Sequence, residues 1–257
     1  MKERPILFSA PMVMAILEGR KTMTRRIVKL PSKRDSFVVV ERNGSRWPFQ
    51  SDDGESDVCD DGNEHPYACP YGQLGDRLWV RETWRVGAWN EDEGKIAVDY
   101  FADGHCRREW LQVRDENLFA RLWQQSTDEA IKALGQREWY TWEPGSSPCK
   151  WRPSIFMPCE FSRITLEITN VRVERLNDIS ESDAKAEGIN EEEFYPDDGY
   201  PLCVGYTHEK EDKNKAYSLY TTRAKAFKNL WESINGLDSW NANPWVWVIE
   251  FKKISIK

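Results

Sequence analysis

The chain has 257 residues, which is long enough to bury a large core, and we expect one elaborated domain. Hydrophobic residues make up 40% and charged residues 31% of the sequence, proportions typical of a globular protein. No apolar run approaches the roughly 18 to 20 residues that cross a bilayer, and the N-terminus lacks the apolar core of a signal peptide. The sequence therefore predicts a cytoplasmic protein without a membrane partner.

The net charge of −7 is distributed unevenly along the chain. Seven acids lie between residues 52 and 64 and five between 191 and 198, and neither stretch contains Lys or Arg. Basic residues instead crowd one short segment: Arg20, Lys21, Arg25, Arg26, Lys29, Lys33 and Arg34. Because the local field governs which ligand approaches, we expect an anionic ligand near residue 20 despite the acidic total.

The six cysteines are widely spread and include no CxxC pair, which predicts reduced thiols rather than a disulfide framework. The closest approach to a metal pattern is Cys59, His65 and Cys69, with Cys159 as a fourth ligand. Structural zinc sites take four ligands, usually in close pairs, so the sequence predicts neither a metal nor another cofactor.

A short helix is predicted near the N-terminus. Pro11 suits a first helical turn, Ala15 and Ile16 follow at helical spacing, and Gly19 ends the helix. Arg20 and Lys21 then follow the helix C-terminus, whose partial negative charge favours cations whatever their function.

Beyond this helix, segments that predict loops alternate with segments that predict strands or helices. Residues 30–68 and 190–216 are polar, acidic and rich in turn formers, which predicts long loops. Residues 86–150 predict a hairpin around 95–110 and a helix near Asp128 to Leu134.

The run "DRLWVRETW" alternates as a strand does, with Glu82 on the face of Leu78 and Val80. A glutamate on an apolar face lies either at the wet end of the strand or in the interior with a partner.

The longest predicted strand is "RITLEITNVRVERL", in which the apolar parity switches at Thr169 and Asn170. Such a switch indicates a bulge or a tight turn, a device that bends strands around a barrel. The segment "DISESDAKAEGI" follows, and its Ser180 and Asp183 predict a capped short helix that ends at Gly188. Glu187 then lies in the last turn, where the helix dipole does not stabilise a carboxylate.

Near the C-terminus, apolar residues at helical spacing predict an amphipathic helix closed by Asn235 and Gly236: Tyr220, Ala224, Phe227, Leu230, Trp231 and Ile234. The run "PWVWVIEFKKI" predicts a strand covered on both faces, with Trp245 and Trp247 in the core. Together these elements favour an α+β fold: a small mixed β-barrel with short helices at its openings.

Four segments also carry a resemblance to a known family. "ILEGRKTMTRR", "GDRLWV", "DISESDAKAEGI" and the terminal "WVIEFK" together resemble the ASCH family of the PUA-like superfamily, and more narrowly the long ASCH proteins of phages and prophages. The matched segments cover roughly residues 5 to 27, 69 to 84, 151 to 189 and 227 to 254. The resemblance implies a single PUA-like domain over residues 1–257, with insertions near 30–68, 86–150 and 190–216.

Small bacterial members of this family include N4-acetylcytidine amidohydrolases, in which a Lys and a Thr of the "GRKTxT" motif act with a Glu of the later short helix. By motif position the resemblance implies Lys21, Thr24 and Glu187 as the catalytic residues. Further substrate contacts are expected from charged and aromatic residues that flank these motifs: Arg20, Arg26, Trp79, Arg81, Glu82 and Trp84. Glu82 is the alternative carboxylate, and Trp84 suits packing as well as stacking.

Three hypotheses remain open from the sequence. The first is an amide hydrolase that removes an acyl group from a modified cytidine nucleoside or nucleotide. The second is an RNA-binding or RNA-processing module in which the basic segment contacts phosphates without covalent chemistry. The third is a phage protein that binds a host protein through its acidic insertions. The sequence does not decide the oligomeric state.

Overall fold

A computed structural model describes residues 1–29, 36–56, 58–104, 106, 110–137, 140–194, 202–208 and 218–256 of the chain. Within these ranges the fold is mixed α+β, which confirms the predicted class. Its helices are α1 (Ala10–Leu17), α2 (Glu116–Leu134), α3 (Glu181–Ala186) and α4 (Arg223–Asn235). Among the described residues no helix is both long and apolar enough to cross a membrane.

The described strands form four sheets. Their bounds are β1 (Glu3–Leu7), β2 (Met23–Ile27), β3 (Ser36–Arg42), β4 (Ser45–Ser51), β5 (Arg77–Arg81), β6 (Trp84–Asn90), β7 (Lys95–Tyr100), β8 (Trp110–Gln112), β9 (Ile164–Arg175), β10 (Asn190–Phe194), β11 (Cys203–Thr207) and β12 (Trp245–Ile256). The largest sheet has five strands in the order β1-β5-β9-β12-β2. The other sheets are β3-β4, β6-β7-β8 and β10-β11, each built from one continuous part of the chain.

The chain divides into two compact units. Unit 1 comprises Met1–Arg4, Ala15–Arg77 and Leu166–Ile254, and unit 2 is built mainly on Pro5–Met14 and Leu78–Thr165. Each unit has its own buried residues.

The core of unit 1 follows the hydrophobic pattern of its two long strands. Four successive residues of β12, from Val246 to Ile249, are at most 1% exposed, so both faces of this strand are covered as predicted. In β9 the buried parity changes between Ile168 and Val173, in agreement with the predicted switch. β12 pairs antiparallel with β2, and its Val246 lies opposite Ile27. The pairing joins an early strand and a late strand of unit 1 in one sheet.

Unit 2 is centred on the sheet β6-β7-β8 and helix α2. Trp84 and Phe161 lie in its core with their rings 5.2 Å apart. Helix α2 is longer than the predicted helix because Asp115 caps its start, where the carboxylate accepts hydrogen bonds from the backbone of Asn117 and Leu118. Gly135, at φ 78°, follows its end.

Two predicted loops are wrong in part. Residues 36–51 form the hairpin β3–β4, and strands β10 and β11 pair within 190–207. The first hairpin turns at Asn43 and Gly44, whose φ values of 52° and 75° suit a tight two-residue turn. Residues 52–56 and 58–68 form turns and irregular structure as predicted, with one isolated bridge between Phe49 and Pro66. The parts of these two predictions at 30–35, 57, 195–201 and 209–216 lie outside the described residues.

The predicted apolar face of helix α4 also needs correction at its ends. Tyr220 precedes the helix, and Ile234 is 50% exposed in its last turn. Ala226 is buried instead, alongside Phe227, Leu230 and Trp231. The buried stripe is therefore shorter than the sequence periodicity predicts, because the last turn of the helix extends beyond the core.

Candidate functional site

Lys21 is directed into unit 1 by the turn that follows helix α1. Gly19 adopts φ 77°, and the backbone amides of Arg20 and Lys21 both donate to the carbonyl of Ala15, at 2.8 and 2.9 Å. The next amide, that of Thr22, donates to the carbonyl of Ala186 at 2.8 Å, which joins this turn to helix α3. The side chain of Lys21 has no exposed surface.

Glu187 is positioned by the short helix that the sequence predicts. The hydroxyl of Ser180 accepts a hydrogen bond from the amide of Asp183 at 3.1 Å and caps the start of α3. Glu187 is the C-cap of the helix, and Gly188 follows at φ 99°. A Cβ at Gly188 would lie 3.0 Å from that of Ala15 and 3.2 Å from that of Lys21, so a glycine allows the two segments to approach closely.

Lys21 and Glu187 form a buried ion pair. The amine donates to Glu187 Oε2 at 2.5 Å and to the Glu187 carbonyl at 3.0 Å. Burial lowers the pKa of Lys21, Glu187 opposes that shift, and the nearby cations Arg26 and Arg25 reinforce it. The site thus holds a lysine whose neutral form is favoured compared with a lysine in water.

A network of arginines and carboxylates extends from this pair. Arg25, on β2, donates to Glu187 Oε1 at 3.4 Å, to Asp183 Oδ2 at 2.5 Å and to Glu174 Oε2 at 3.1 Å. Arg172 binds the same Asp183 at 2.8 Å and the same Glu174 at 2.5 Å. The two arginines therefore fix helix α3 against strands β2 and β9, and with it the position of Glu187.

Thr24 lies on β2, where it is 2% exposed and pairs with Ile249 of β12. Successive side chains of a strand alternate between faces, so Thr24 occupies the face opposite Met23 and Arg25. No hydrogen bond joins the Thr24 hydroxyl to Lys21 or Glu187 in the part of the chain that the structure describes. Of the three residues that the resemblance implies, Lys21 and Glu187 are in direct contact.

The other predicted substrate contacts of unit 1 have different surroundings. Arg20 is paired with Glu18, at 2.5 Å, and donates to the carbonyl of Gly188 at 2.9 Å. Burial lowers the pKa of the half-buried Arg26, while the phenol of Tyr71 and the carboxylate of Glu187 oppose that shift.

A cleft of about 730 Å³ opens beside the turn that carries Lys21. Its lining includes the cationic side chains of Arg20, Lys185 and Arg223, together with Thr22 and Glu191. Arg223 forms an ion pair with Glu191 across one edge. The cleft offers cations to an anionic group, and Arg20 is the predicted substrate residue that lines it.

The predicted substrate contacts Glu82, Arg81 and Trp79 of unit 2 belong to two side-chain clusters. Glu82 is 1% exposed and accepts two hydrogen bonds from Arg163, at 2.9 and 2.8 Å, so this alternative carboxylate is buried with a partner. Arg163 also binds Asp103, at 2.8 and 3.0 Å. The guanidinium of Arg81 lies 4.6 Å from the ring centre of Trp79.

Trp84 is 1% exposed and packs against Phe161 in the core of unit 2. A stacking role would require an uncovered ring face, so this position fits the packing interpretation.

Sequence reasoning missed the structural importance of Arg25, Arg172 and Asp183. It treated Arg25 only as a charge near Lys21 and Asp183 only as part of a helix cap. Arg25 and Arg172 both bind Asp183, and they lie 158 and 11 residues from it along the chain. Local sequence patterns do not pair such positions. The available signal is the run of alternating charges on β9 after the parity switch, where Arg172 and Glu174 share one face.

Among the described residues, no group of three or more His, Cys, Asp or Glu side chains is arranged to hold a metal ion. No protein-family model, curated protein or solved structure matches this chain.

Proposed function

We propose that this protein is an ASCH-type amidohydrolase that removes an acyl group from N4-acylated cytidine, with Lys21 and Glu187 at the reacting centre. The contact between these two residues carries the proposal, because they lie 166 positions apart and are the pair implied by separate motifs. A lysine held away from water, with lowered pKa, is also what a general base requires near neutral pH.

A neutral Lys21 amine can still donate to Glu187. A neutral amine has two N–H bonds, and Glu187 offers two acceptors, its carboxylate and its carbonyl oxygen. Deprotonation of Lys21 is therefore compatible with both hydrogen bonds to Glu187. Glu187 orients the amine and stabilises the ammonium that forms when Lys21 accepts a proton.

The proposed reaction has two stages. Lys21 accepts the proton of the Thr24 hydroxyl while that oxygen bonds to the acyl carbon. The bond between the acyl carbon and N4 then breaks, and N4 leaves with the proton from Lys21. Water next attacks the acyl ester on Thr24 with Lys21 as base, which releases the acid and restores the hydroxyl. The first stage requires the Thr24 hydroxyl to reach the Lys21 amine.

The fold that accompanies this function is a PUA-like barrel built around the five-stranded sheet. The segments that resemble ASCH proteins supply β1, β2, β5, β9 and β12, which are the five strands of that sheet. The proposed insertions supply the three smaller sheets. This division between matched and inserted segments supports the proposed ancestry.

Acetate release from N4-acetylcytidine tests the proposed hydrolysis. We expect Lys21→Met to lower the rate about 10²- to 10⁴-fold, the range for loss of acid-base help. Thr24→Val removes the proposed nucleophile and should abolish release through the acyl ester. Exposed residues of the same types provide the matched controls Lys225→Met and Thr169→Val, which should retain activity. Wild-type protein without acetate release, or full activity in Lys21→Met, would contradict the proposal.

The cationic cleft favours a second candidate, an RNA-binding module without hydrolysis. Arg20, Lys185 and Arg223 could contact phosphates there. The logarithm of the RNA-binding constant should then fall linearly with the logarithm of salt concentration, with a slope of about −0.7 per phosphate contact for a single strand. Salt-independent binding would rule out this candidate.

A further inference from the structure

Unit 2 contains a second cleft that the proposed hydrolysis does not use. It has a volume of about 590 Å³ and is lined by residues of β6, β8, α2 and the segment after α2. Four of the lining side chains are tryptophans: Trp89, Trp110, Trp123 and Trp142. A volume of this size matches the roughly 300 to 1,000 Å³ of small-molecule sites.

These four tryptophans differ in exposure from those of the protein core. Trp84, Trp231 and Trp247 are at most 5% exposed. None of the cleft tryptophans is buried, and Trp110 is 43% exposed. Leaving large apolar rings partly in water costs hydrophobic free energy, and their convergence on one concavity suits a ligand that covers them.

The rings are held in place from behind. The Trp142 indole donates to the carbonyl of Gly87 at 2.6 Å, and its ring centre lies 5.3 Å from that of Trp89 at an angle of 57°. Trp89 in turn packs against the core of unit 2. The inclined rings of Trp89 and Trp142 are thus held in position by the protein without a ligand.

The polar groups of the cleft indicate which flat ligand it takes. Arg137 is the single cation of the described lining, and its guanidinium makes one hydrogen bond there, from Nε to the carbonyl of Leu134 at 3.2 Å. Its terminal nitrogens make no ion pair with a carboxylate among the described residues, although Glu91 also lines the cleft. Asn90, Glu91 and Gln136 add donors and acceptors of the kind that read the edge of a base.

We propose that this cleft binds a nucleobase and adjoining phosphate of single-stranded RNA. Tryptophan faces stack on bases, the Arg137 guanidinium binds phosphate, and the amide and carboxylate groups contact the edge of the base. A neutral sugar would also stack on tryptophan and accept hydrogen bonds from Arg137, but it has no anionic group to pair with the cation. The inference is independent of hydrolysis at Lys21.

Fluorescence anisotropy of an end-labelled hexacytidylate, titrated with the full chain, tests the proposal. Loss of one base-stacking ring corresponds to roughly 1 to 3 kcal/mol, so Trp110→Ala and Trp123→Ala should each raise Kd by about 5- to 150-fold. Trp151→Ala is the matched control, because Trp151 is 37% exposed in the same unit and does not line the cleft. Its Kd should equal that of the wild type.

Arg137→Gln gives a second readout that does not depend on a ring. It should raise Kd at low salt and reduce the salt slope by about 0.7, the contribution of one phosphate contact. Absence of RNA binding, equal Kd in the wild type, Trp110→Ala and Trp123→Ala, or tryptophan-dependent binding of a neutral oligosaccharide alone would overturn the proposal.

Discussion

At the scale of single residues, the main feature of unit 1 is the buried ion pair between Lys21 and Glu187. Lys21 and Glu187 are 2% and 3% exposed, and neither charge has access to bulk water. Removal of one partner of a buried pair generally costs about 3 to 5 kcal/mol, because the other charge is left uncompensated. The lowered pKa of Lys21 provides relief, since the amine can lose its proton.

Glu187→Gln should therefore change the pH dependence of hydrolysis as well as its rate. Glu187 raises the pKa of Lys21, so its neutralisation should lower that pKa further and move the rising limb of kcat/KM to lower pH. Glu174→Gln is the control, because Glu174 contacts Arg25 and Arg172 instead of Lys21. A rising limb at the wild-type pH in Glu187→Gln would count against the assigned role.

Lys21→Met should alter the pH dependence of stability. In the unfolded chain Lys21 keeps its proton up to its ordinary pKa of 10.5, whereas the folded protein releases that proton at lower pH. The unfolded state binds more protons between these pKa values, so the free energy of unfolding contributed by Lys21 rises with pH in that window.

Urea unfolding of wild type and Lys21→Met at several pH values measures this contribution. The difference should increase by up to about 1.4 kcal/mol per pH unit within the window. The same comparison with the exposed Lys225→Met is the control. A constant difference between wild type and Lys21→Met would show that burial does not perturb the lysine.

At the scale of elements, the close approach of α3 to the turn after α1 depends on Gly188. Alanine at a left-handed position costs roughly 1 to 2 kcal/mol in backbone energy. Gly188→Ala should cost more, because its Cβ would press on Ala15 and Lys21 at 3.0 and 3.2 Å. Gly236→Ala is a matched control, since Gly236 has φ 95° after helix α4 and no atom near the added carbon.

Thermal unfolding and acetate release together test this expectation. Both glycine variants should lose stability, and Gly188→Ala should lose more stability and also activity. Equal loss in the two variants would mean that α3 and the turn can separate without consequence.

The elements also show what sequence patterns can predict. Helices α1, α3 and α4 and strands β5, β9 and β12 follow from apolar periodicity and capping residues, because each buries one face or both. Strand β10 is mostly glutamate, and its pairing with β11 stabilises it despite a low strand propensity. The hairpin β3–β4 had a usable signal, since Asn-Gly between two strand-like runs favours a tight turn.

The candidate site was predictable only in part, because some of its contacts join residues that are distant along the chain. Motif position brought Lys21 and Glu187 into one hypothesis, whereas Arg25 and Arg172 matter through partners that only the folded chain brings near. Burial of the pair, and hence the lowered pKa of Lys21, is a property of tertiary packing rather than of any local pattern.

At the scale of the whole molecule, the acidic segments separate the hypotheses about partners. Glu55 and Asp60 are exposed within the acidic stretch 52–64. The double variant Glu55→Gln/Asp60→Asn should leave hydrolysis of the uncharged nucleoside unchanged, because a neutral substrate is not steered by charge. Loss of hydrolysis would show that this stretch contributes to the site, and weaker capture of a host protein would favour the third hypothesis.

The pairing of β12 with β2 has a consequence for biosynthesis. Glu250 lies opposite Met23, so strand β2 gains this partner only after residue 250 has left the ribosome. Until then a nascent Lys21 is hydrated and keeps its proton. Translation thus delays the burial of Lys21, and with it the lowering of its pKa, until β12 has been made.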